Sequence, residues 1–138
     1  MNEDKRPLLI QFPITVKTYD IDFANIVHNV VYMRWLEDLR LQILEETYPV
    51  SVMLKDGIGP ILTRTELDHL WPTRYGDEVV GRMWVKDVTR VRWVVQGEIE
   101  ANGRTAVAAV QTGYFTNLQT FRPVRMPQPC LAAWQAVQ

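Results

Sequence analysis

The chain has 138 residues, 47% of them hydrophobic and 22% charged, and a formal net charge of −1 at pH 7. This length is enough for one domain with its own core and too short for two, so residues 1–138 are expected to form a single domain. A charge balance close to neutral gives no support to nucleic-acid binding, which usually requires a basic surface. No run of about 18 apolar residues is present, so no membrane span is expected.

The N-terminal segment lacks the pattern of a secretory signal. Its first six residues are mostly charged, and only a short apolar run follows them. A signal peptide needs an apolar stretch followed by a cleavage site with small residues. The expected location is therefore cytoplasmic.

Cysteine, histidine and serine are too scarce for several kinds of site. A single cysteine, Cys130, excludes an intrachain disulfide and argues against a thiolate metal cluster. The two histidines, His28 and His69, lack the spacing of the zinc motif H-E-x-x-H. Ser51 is the only serine and does not lie in a G-x-S-x-G turn. No glycine-rich nucleotide loop is present either, so we expect no metal and no cofactor. A hydrolase made from this chain must use carboxylates or a solitary histidine.

In chain order, a strand and a long helix come first. Apolar and β-branched residues from Leu8 to Lys17 predict a strand, and Pro13 within it indicates a sheet edge or a bulge. A helix is predicted from about Asn29 to Glu46, before Pro49. Apolar residues recur along it at i, i+4, i+7 and i+11 and form one stripe: Tyr32, Leu36, Leu39 and Ile43.

Strands dominate the rest of the chain, after an irregular segment around Gly57 to Pro60. They are predicted at Ile61–Leu70, Glu78–Val88, Val91–Glu100 and Thr105–Phe115. Asn102-Gly103 is a strong hairpin signal, and a short final helix is predicted at Leu131–Val137. One helix can be covered on all sides only by a sheet that curves around it. The order therefore predicts an α+β fold in which a curved antiparallel sheet wraps one long helix.

Two carboxylates, Asp20 and Asp22, lie on the short link between the first strand and the long helix. The start of a helix offers unpaired backbone N–H donors and a partial positive charge, which suit a substrate carbonyl oxygen. A carboxylate beside such donors can act as nucleophile or general base on the carbonyl that they polarise. This segment therefore predicts a site for acyl transfer.

Three segments of the chain carry motifs that occur together in one family. Residues 20–27 read D-I-D-F-A-N-I-V, close to D-x-D-x-x-G followed by a hydrophobic residue and Val, and residues 32–37 continue as Y-M-R-W-L-E. Residues 64–77 match the pattern R-T-x-x-D-x-x-x-P-x-R-x-G-D, and residues 121–127, F-R-P-V-R-M-P, are similar to a closing segment after the last strand. Together these segments resemble the 4-hydroxybenzoyl-CoA thioesterase family of the hotdog superfamily. The resemblance implies a hotdog fold and a hydrolase of acyl-CoA or acyl-carrier-protein thioesters. It also implies a homodimer or homotetramer with the active site at the subunit interface.

The resemblance assigns roles to residues in the segment that leads into the helix. Asp22 matches the catalytic carboxylate, although an Asp that holds a turn before a helix is also common. The oxyanion donor maps onto the backbone N–H of Asn29, give or take one residue. His28 either assists proton transfer or covers the helix start. The family often has Gly where Asn25 stands, and Asn is the residue besides Gly that best tolerates a positive φ.

Substrate contacts are expected from four further side chains: Tyr32, Arg74, Arg90 and Arg92. Arg90 matches a basic residue that holds CoA phosphate in one branch of the family, and the planar fork of arginine suits phosphate. A solvated charge in a turn explains the same residue equally well.

Several alternatives stay open at this level. Asp22 could attack the thioester carbonyl or deprotonate water. The acyl group, the choice between CoA and acyl-carrier protein, and the choice between dimer and tetramer are not readable from the residues. The alternative to an enzyme is a non-catalytic hotdog that binds acyl-CoA or serves in assembly.

Overall fold

The computed structural model describes residues 5–138. In this range one six-stranded antiparallel sheet packs with three α-helices, and a 3₁₀ turn at Thr18–Asp20 precedes the first of them. The strands are β1 (Ile10–Ile14), β2 (Ile58–His69), β3 (Val79–Val88), β4 (Trp93–Ala101), β5 (Arg104–Asn117) and β6 (Pro123–Val124). The helices are α1 (Asn29–Thr47), α2 (Val50–Asp56) and α3 (Gln128–Ala136). The strand order is β1-β3-β4-β5-β2, with β6 paired to β5.

The long helix α1 lies against one face of this sheet. Its predicted apolar stripe is confirmed, because Tyr32, Leu36, Leu39 and Ile43 are all buried. Gly97 in β4 allows the close approach: a Cβ built there would lie 2.9 Å from Cδ2 of Leu36. Fully burying a leucine side chain contributes roughly 1.5–3 kcal/mol, so this stripe supplies much of the force that holds α1 on the sheet.

The predicted fold class is confirmed, and the arrangement is that of a hotdog domain. Pro13 lies in β1 at an edge of the sheet, as its lack of an N–H donor predicts. Asn102 and Gly103 form the hairpin turn between β4 and β5, with φ of 51° and 79°. These two positive φ angles are what a two-residue hairpin loop requires.

Several predicted boundaries are wrong. β1 is shorter than the predicted strand from Leu8 to Lys17, and α3 begins at Gln128, three positions before the predicted Leu131. Residues 50–56, for which no helix or strand is predicted, form α2, which follows Pro49 and which Gly57 ends in the left-handed region at φ 71°. β2 begins at Ile58, three positions before the predicted Ile61. Val91 does not start β4: it is 65% exposed in the turn before the strand, where its N–H donates to Oγ1 of Thr89.

The ends of the sheet differ in what covers them. One end, called here the loop end, carries residues 18–29, residues 70–78 and the turn at Asn102-Gly103. The opposite end, called here the helix end, carries the β3–β4 turn at residues 89–92 together with α2, β6 and α3. None of the helices within residues 5–138 is both long enough and apolar enough to span a membrane.

Candidate active site

The loop that carries Asp22 is closed by its own backbone. Ile21 and Val27 form an isolated antiparallel bridge, and the N–H of Asp22 donates to the carbonyl of Ile26 at 3.0 Å. Asn25, at the tip, has φ +59°, and its N–H donates to the carbonyl of Asp22 at 3.0 Å. Asn therefore adopts here the left-handed conformation for which the related family often uses Gly.

The carboxylate of Asp22 has one occupied oxygen and one open oxygen. Oδ1 accepts the backbone N–H of Ala24 at 2.8 Å and that of Ile26 at 3.2 Å. Oδ2 has no hydrogen-bond partner and no ion pair within residues 5–138, and the side chain is half-buried. Asp22 therefore has the structural role of a turn Asp and also keeps an oxygen available for chemistry.

The start of α1 follows this loop directly. His28 is the residue that precedes the helix; it makes no side-chain capping bond and is exposed. No acceptor for the backbone N–H of Asn29 or Val30 is present in the described chain, whereas the N–H of Val31 donates to the carbonyl of His28 at 2.9 Å. Two donors and the positive end of the helix dipole are therefore available to an oxygen atom.

Residues 70–78 form hydrogen bonds with the loop that carries Asp22. The N–H of Val27 donates to the carbonyl of Thr73 at 2.9 Å, and the N–H of Tyr75 donates to Oδ1 of Asn25 at 3.1 Å. Arg74 is exposed in this segment, and its N–H donates to Oδ2 of Asp77 at 2.8 Å. The structure therefore brings Arg74 into the same group of loops as Asp22.

Asp20, the other carboxylate of the motif, lies in a different environment. Its side chain is only 4% exposed, and Oδ2 accepts the backbone N–H of Lys17 at 2.8 Å. The carbonyl of Asp20 accepts the N–H of His28 at 3.0 Å. These contacts join the 3₁₀ turn to the start of α1, which is a structural role.

Tyr32 lies beneath the surface of the site. Its side chain is 2% exposed and contacts the ring of Trp35 edge-on at 5.4 Å between centroids. Its ring also lies 5.6 Å from the ring of His69, which is exposed at the end of β2. In the isolated chain Tyr32 is thus a packing residue, and its contact with substrate stays a prediction.

Arg90 and Arg92 are not brought near Asp22 within one chain. Both are exposed in the β3–β4 turn at the helix end, where Nη2 of Arg92 lies 3.7 Å from Oδ2 of Asp87. The carbonyl of Arg90 accepts the N–H of Met126 at 2.7 Å. The ten residues of β3 separate this turn from the loop end, a distance of about 30 Å at the rise of a β-strand.

Sequence reasoning misses two features of the loop end. The first is a group of exposed aromatic side chains on its loops, the loop aromatics: Tyr19, Phe23, Trp71 and Tyr75. The second is Thr73, whose hydroxyl is buried without a hydrogen-bond partner in residues 5–138. The loop aromatics have no periodic pattern. Two of them flank the D-x-D motif and the other two lie within residues 64–77, so only these positions could have drawn attention to them. No group of three His, Cys, Asp or Glu side chains that could hold a metal ion is found in the described residues.

Three solved structures show the same fold. The chain is similar to 1,4-dihydroxy-2-naphthoyl-CoA thioesterase (DHNA-CoA thioesterase) from Staphylococcus aureus, with 23% identity, TM-score 0.86, and coverage of 94% of this chain and 91% of that one. It is also similar to a thioesterase complexed with coenzyme A and Zn from Thermus thermophilus, with 21% identity, TM-score 0.81 and 96% of each chain covered. A 1,4-dihydroxy-2-naphthoyl-CoA thioesterase from Synechocystis has 16% identity and TM-score 0.81, over 91% of this chain and 94% of that one.

At these identities the likeness establishes the fold alone. No curated protein matches the sequence. A sequence model of the thioesterase-like superfamily, however, matches residues 16–135, which include the Asp22 loop, the whole sheet after β1 and nearly all of α3. The chain belongs to the thioesterase-like superfamily.

Proposed function

We propose that this protein hydrolyses an acyl thioester of CoA or of acyl-carrier protein to the free acid and the thiol. The superfamily supports a thioester hydrolase, two of the structural relatives are 1,4-dihydroxy-2-naphthoyl-CoA thioesterases, and the third is a thioesterase complexed with coenzyme A. The observation that carries the proposal is the open Oδ2 of Asp22, on the loop that leads into two unpaired N–H groups of α1.

In the proposed reaction, the N–H groups of Asn29 and Val30 bind the thioester carbonyl oxygen. They would stabilise the negative charge that develops on it when the carbonyl carbon is attacked, the usual role of an oxyanion site. Oδ2 of Asp22 either attacks that carbon and forms a mixed anhydride, or removes a proton from the water that attacks. In both routes the C–S bond breaks, the thiolate leaves and takes up a proton, and water supplies the new oxygen of the acid.

Labelled water distinguishes the two roles of Asp22. During a single turnover in ¹⁸O-water, label in the Asp22 carboxyl identifies the nucleophile, because a general base exchanges no carboxyl oxygen. Label only in the product acid, with no Asp22 hydroxamate when hydroxylamine is added, identifies the base.

His28 and the substrate-binding residues have secondary roles in this proposal. His28 is exposed at the residue before α1, and we assign to it the transfer of a proton to the leaving thiolate. Arg74 lies on the supporting loop of the same chain. Arg90 and Arg92 are at the helix end, so a CoA bound at Asp22 could reach them only on a second copy of the chain.

We further propose that the active species is a dimer or tetramer formed along β2. β2 is twelve residues long and lies at an edge of the sheet, and its outer side has no strand partner within residues 5–138. A long open edge pairs readily with another strand. The loop aromatics are exposed in the isolated chain, with Phe23 at 105% of its reference surface, and a second copy would cover such surface.

A panel of thioesters tests the activity. Aromatic, short-chain and long-chain acyl-CoAs, each with its acyl-pantetheine counterpart, are incubated with the protein and a thiol-trapping dye, and samples without protein give the background. We expect thiol release for at least one acyl group. Release at background throughout would favour the non-catalytic acyl-CoA-binding or assembly module.

Sedimentation and activity, measured over the same range of dilution, test the assembly. We expect turnover per chain to fall as the monomer becomes the main species, because each site needs residues from two copies. A monomer that keeps full turnover contradicts the two-chain site without contradicting the hydrolysis.

A further inference from the structure

An apolar pocket lies at the helix end, away from the candidate active site. Its volume is about 80 Å³, and it opens between the C-terminal half of α1, the sheet and the segment that leads into α3. Hydrocarbon and aromatic side chains form most of the wall, among them Ile43, Val85, Trp93, Val95, Phe115 and Met126. One charged side chain, Arg40, is found among the residues that line it.

Arg40 has an unusual environment for a cation. Its Nη1 donates to Oε1 of Gln111 at 2.5 Å, and no carboxylate of residues 5–138 lies within ion-pair distance of it. Burial lowers the pKa of the guanidinium, and the charge of Glu37 partly opposes that shift. A partly buried cation whose hydrogen-bond partner is neutral has no paired counter-charge.

Gln111 is committed to holding Arg40 in place. It is 1% exposed, and while its Oε1 accepts from Arg40, its Nε2 donates to Oγ1 of Thr65 at 3.2 Å. The chain Arg40–Gln111–Thr65 therefore fixes the guanidinium on one side. A guanidinium has five N–H donors, and Gln111 is the only acceptor that Arg40 has among the described residues, so donors remain for a ligand.

The other polar groups of the wall are already engaged or are not charged. The hydroxyl of Thr47 donates to the carbonyl of Ile43 at 2.9 Å, and Nε1 of Trp93 donates to the carbonyl of Tyr114 at 3.2 Å. Burial raises the pKa of the Cys130 thiol to about 12, so this residue is neutral near pH 7. Arg40 is therefore the one charged side chain among the residues that line an otherwise apolar wall.

We propose that this pocket binds a free carboxylate with a short apolar tail, the tail against the apolar wall and the carboxylate on the guanidinium of Arg40. The planar fork of arginine matches the two oxygens of a carboxylate, and such charge-assisted pairs are about twice as strong as neutral hydrogen bonds. A water-sized group needs roughly 10–15 Å³ of this kind of volume, so the pocket holds a tail of about five to eight carbon atoms.

The pocket is distinct from the candidate active site of its own chain. Arg40, its lining residue on α1 nearest to Asn29, is eleven positions beyond Asn29, which corresponds to about 16 Å along the helix. A ligand with its carboxylate on Arg40 is therefore not in contact with Asp22. The proposal does not depend on the proposed hydrolysis, and its test contains no thioester.

Binding of hexanoate, 1-hexanol and hexylammonium to the native protein separates charge from hydrophobicity. Calorimetry measures affinity, and the tryptophan fluorescence of the protein, to which Trp93 in the wall contributes, provides a second readout. We expect saturable binding of hexanoate, at least about tenfold weaker binding of 1-hexanol, and the weakest binding for hexylammonium. Equal affinity for hexanoate and 1-hexanol overturns the proposal. The absence of saturable hexanoate binding also overturns the proposal. This outcome includes the case in which an acidic side chain of a second copy already pairs with Arg40.

A matched pair of variants on α1 locates the charge. Arg40→Gln should weaken hexanoate binding about tenfold or more and leave 1-hexanol binding unchanged, whereas Arg34→Gln, at an exposed position of the same helix, should change neither. Circular dichroism checks that both variants fold. Unchanged hexanoate binding in a folded Arg40→Gln variant overturns the proposal, and should that variant not fold, the three-ligand series on the native protein decides by itself.

Discussion

The two ends of α1 are built in opposite ways. At its start, the loop end is held by hydrogen bonds of the backbone, such as those from Ala24 and Ile26 to Oδ1 of Asp22 and that from Val27 to the carbonyl of Thr73. At its finish, the helix end is held by side chains from distant parts of the chain, from Leu8 to Cys130, packed around an apolar pocket. The loop end therefore depends on backbone conformation and charge, and the helix end depends on volume and burial. Substitutions at the two ends should produce different kinds of damage.

The largest effect is expected for Asp22→Asn. The amide oxygen of Asn can still accept the N–H groups of Ala24 and Ile26, so the loop should survive, while the charge needed for chemistry is lost. We expect kcat to fall by about 10²–10⁴ with little change in the thermal midpoint. Asp20→Asn is the matched control and should be milder, because Asp20 has a structural contact with Lys17. The reverse ranking would assign the chemistry to Asp20, and an active Asp22→Asn would remove the site from this loop.

Arg90→Ala tests whether the helix end of one copy serves the loop end of another. A charge-assisted bond to a phosphate is worth about 1.5–3 kcal/mol, so we expect KM for acyl-CoA to rise about ten- to a hundredfold with kcat nearly unchanged. An acyl-pantetheine, which lacks the nucleotide, should not respond, and high salt should reproduce the mutation for the CoA substrate only. Lys86→Ala, at an exposed position near the same turn, is the control. Equal losses on both substrates would mean that Arg90 supports the fold or the interface.

Asn25 allows the loop conformation to be separated from its side-chain bond. Asn25→Ala loses the bond to the N–H of Tyr75 and also places an alanine at φ +59°, which together should lower the free energy of unfolding by about 2–3 kcal/mol. Asn25→Gly loses the bond but fits the φ, so its loss should be nearer to about 1 kcal/mol. Denaturant unfolding measures both. Equal losses would show that the positive φ has no part in the stability of the loop.

The smallest effect is expected for Cys130, and the reactivity of its thiol tests whether the helix end is closed. Because burial raises its pKa from 9.0 to about 12, the thiol should react slowly with iodoacetamide at pH 8, whereas the protein unfolded in urea should react at the normal rate. The neutral thiol is favoured in the folded state, so its contribution to stability is present below pH 9 and is lost as the pH rises toward 12. Cys130→Ala should lack this part of the alkaline loss. Fast alkylation of the folded protein at pH 8 would show that this wall of the pocket is open.

Local patterns in the sequence were enough to predict most of the fold. The stripe from Tyr32 to Ile43 defines the buried face of α1, and Asn102-Gly103 defines one hairpin, because each depends on spacing or on φ alone. α2 could not be predicted in this way. It is only seven residues long, and a residue outside it helps to hold its end. The hydroxyl of Tyr48 donates to Oδ2 of Asp56, the last residue of α2, at 2.6 Å.

The candidate site could be predicted in part for the same reason. Asp22, Asn25 and Asn29 belong to one continuous segment, so a motif identifies them together. The pocket around Arg40 has no such segment, because its wall is assembled from six helices and strands and two connecting segments. The separation of Arg90 from Asp22 likewise follows from the length of β3 and its place in the sheet, and neither is contained in a local motif.

The pairing of β1 with β3 has a consequence for the order in which the protein can fold during its synthesis. Ile10 pairs with Met83, so β1 and the apolar stripe of α1 leave the ribosome long before the strands that cover them. At about 5–20 residues per second, synthesis of the chain from Ile10 to Met83 takes roughly 4 to 15 seconds. A nascent chain that stops short of β3 has a complete amphipathic helix and no sheet on which to bury it. Such a fragment should bind chaperones or aggregate, and the domain should acquire its core only when β3 and β4 have been made.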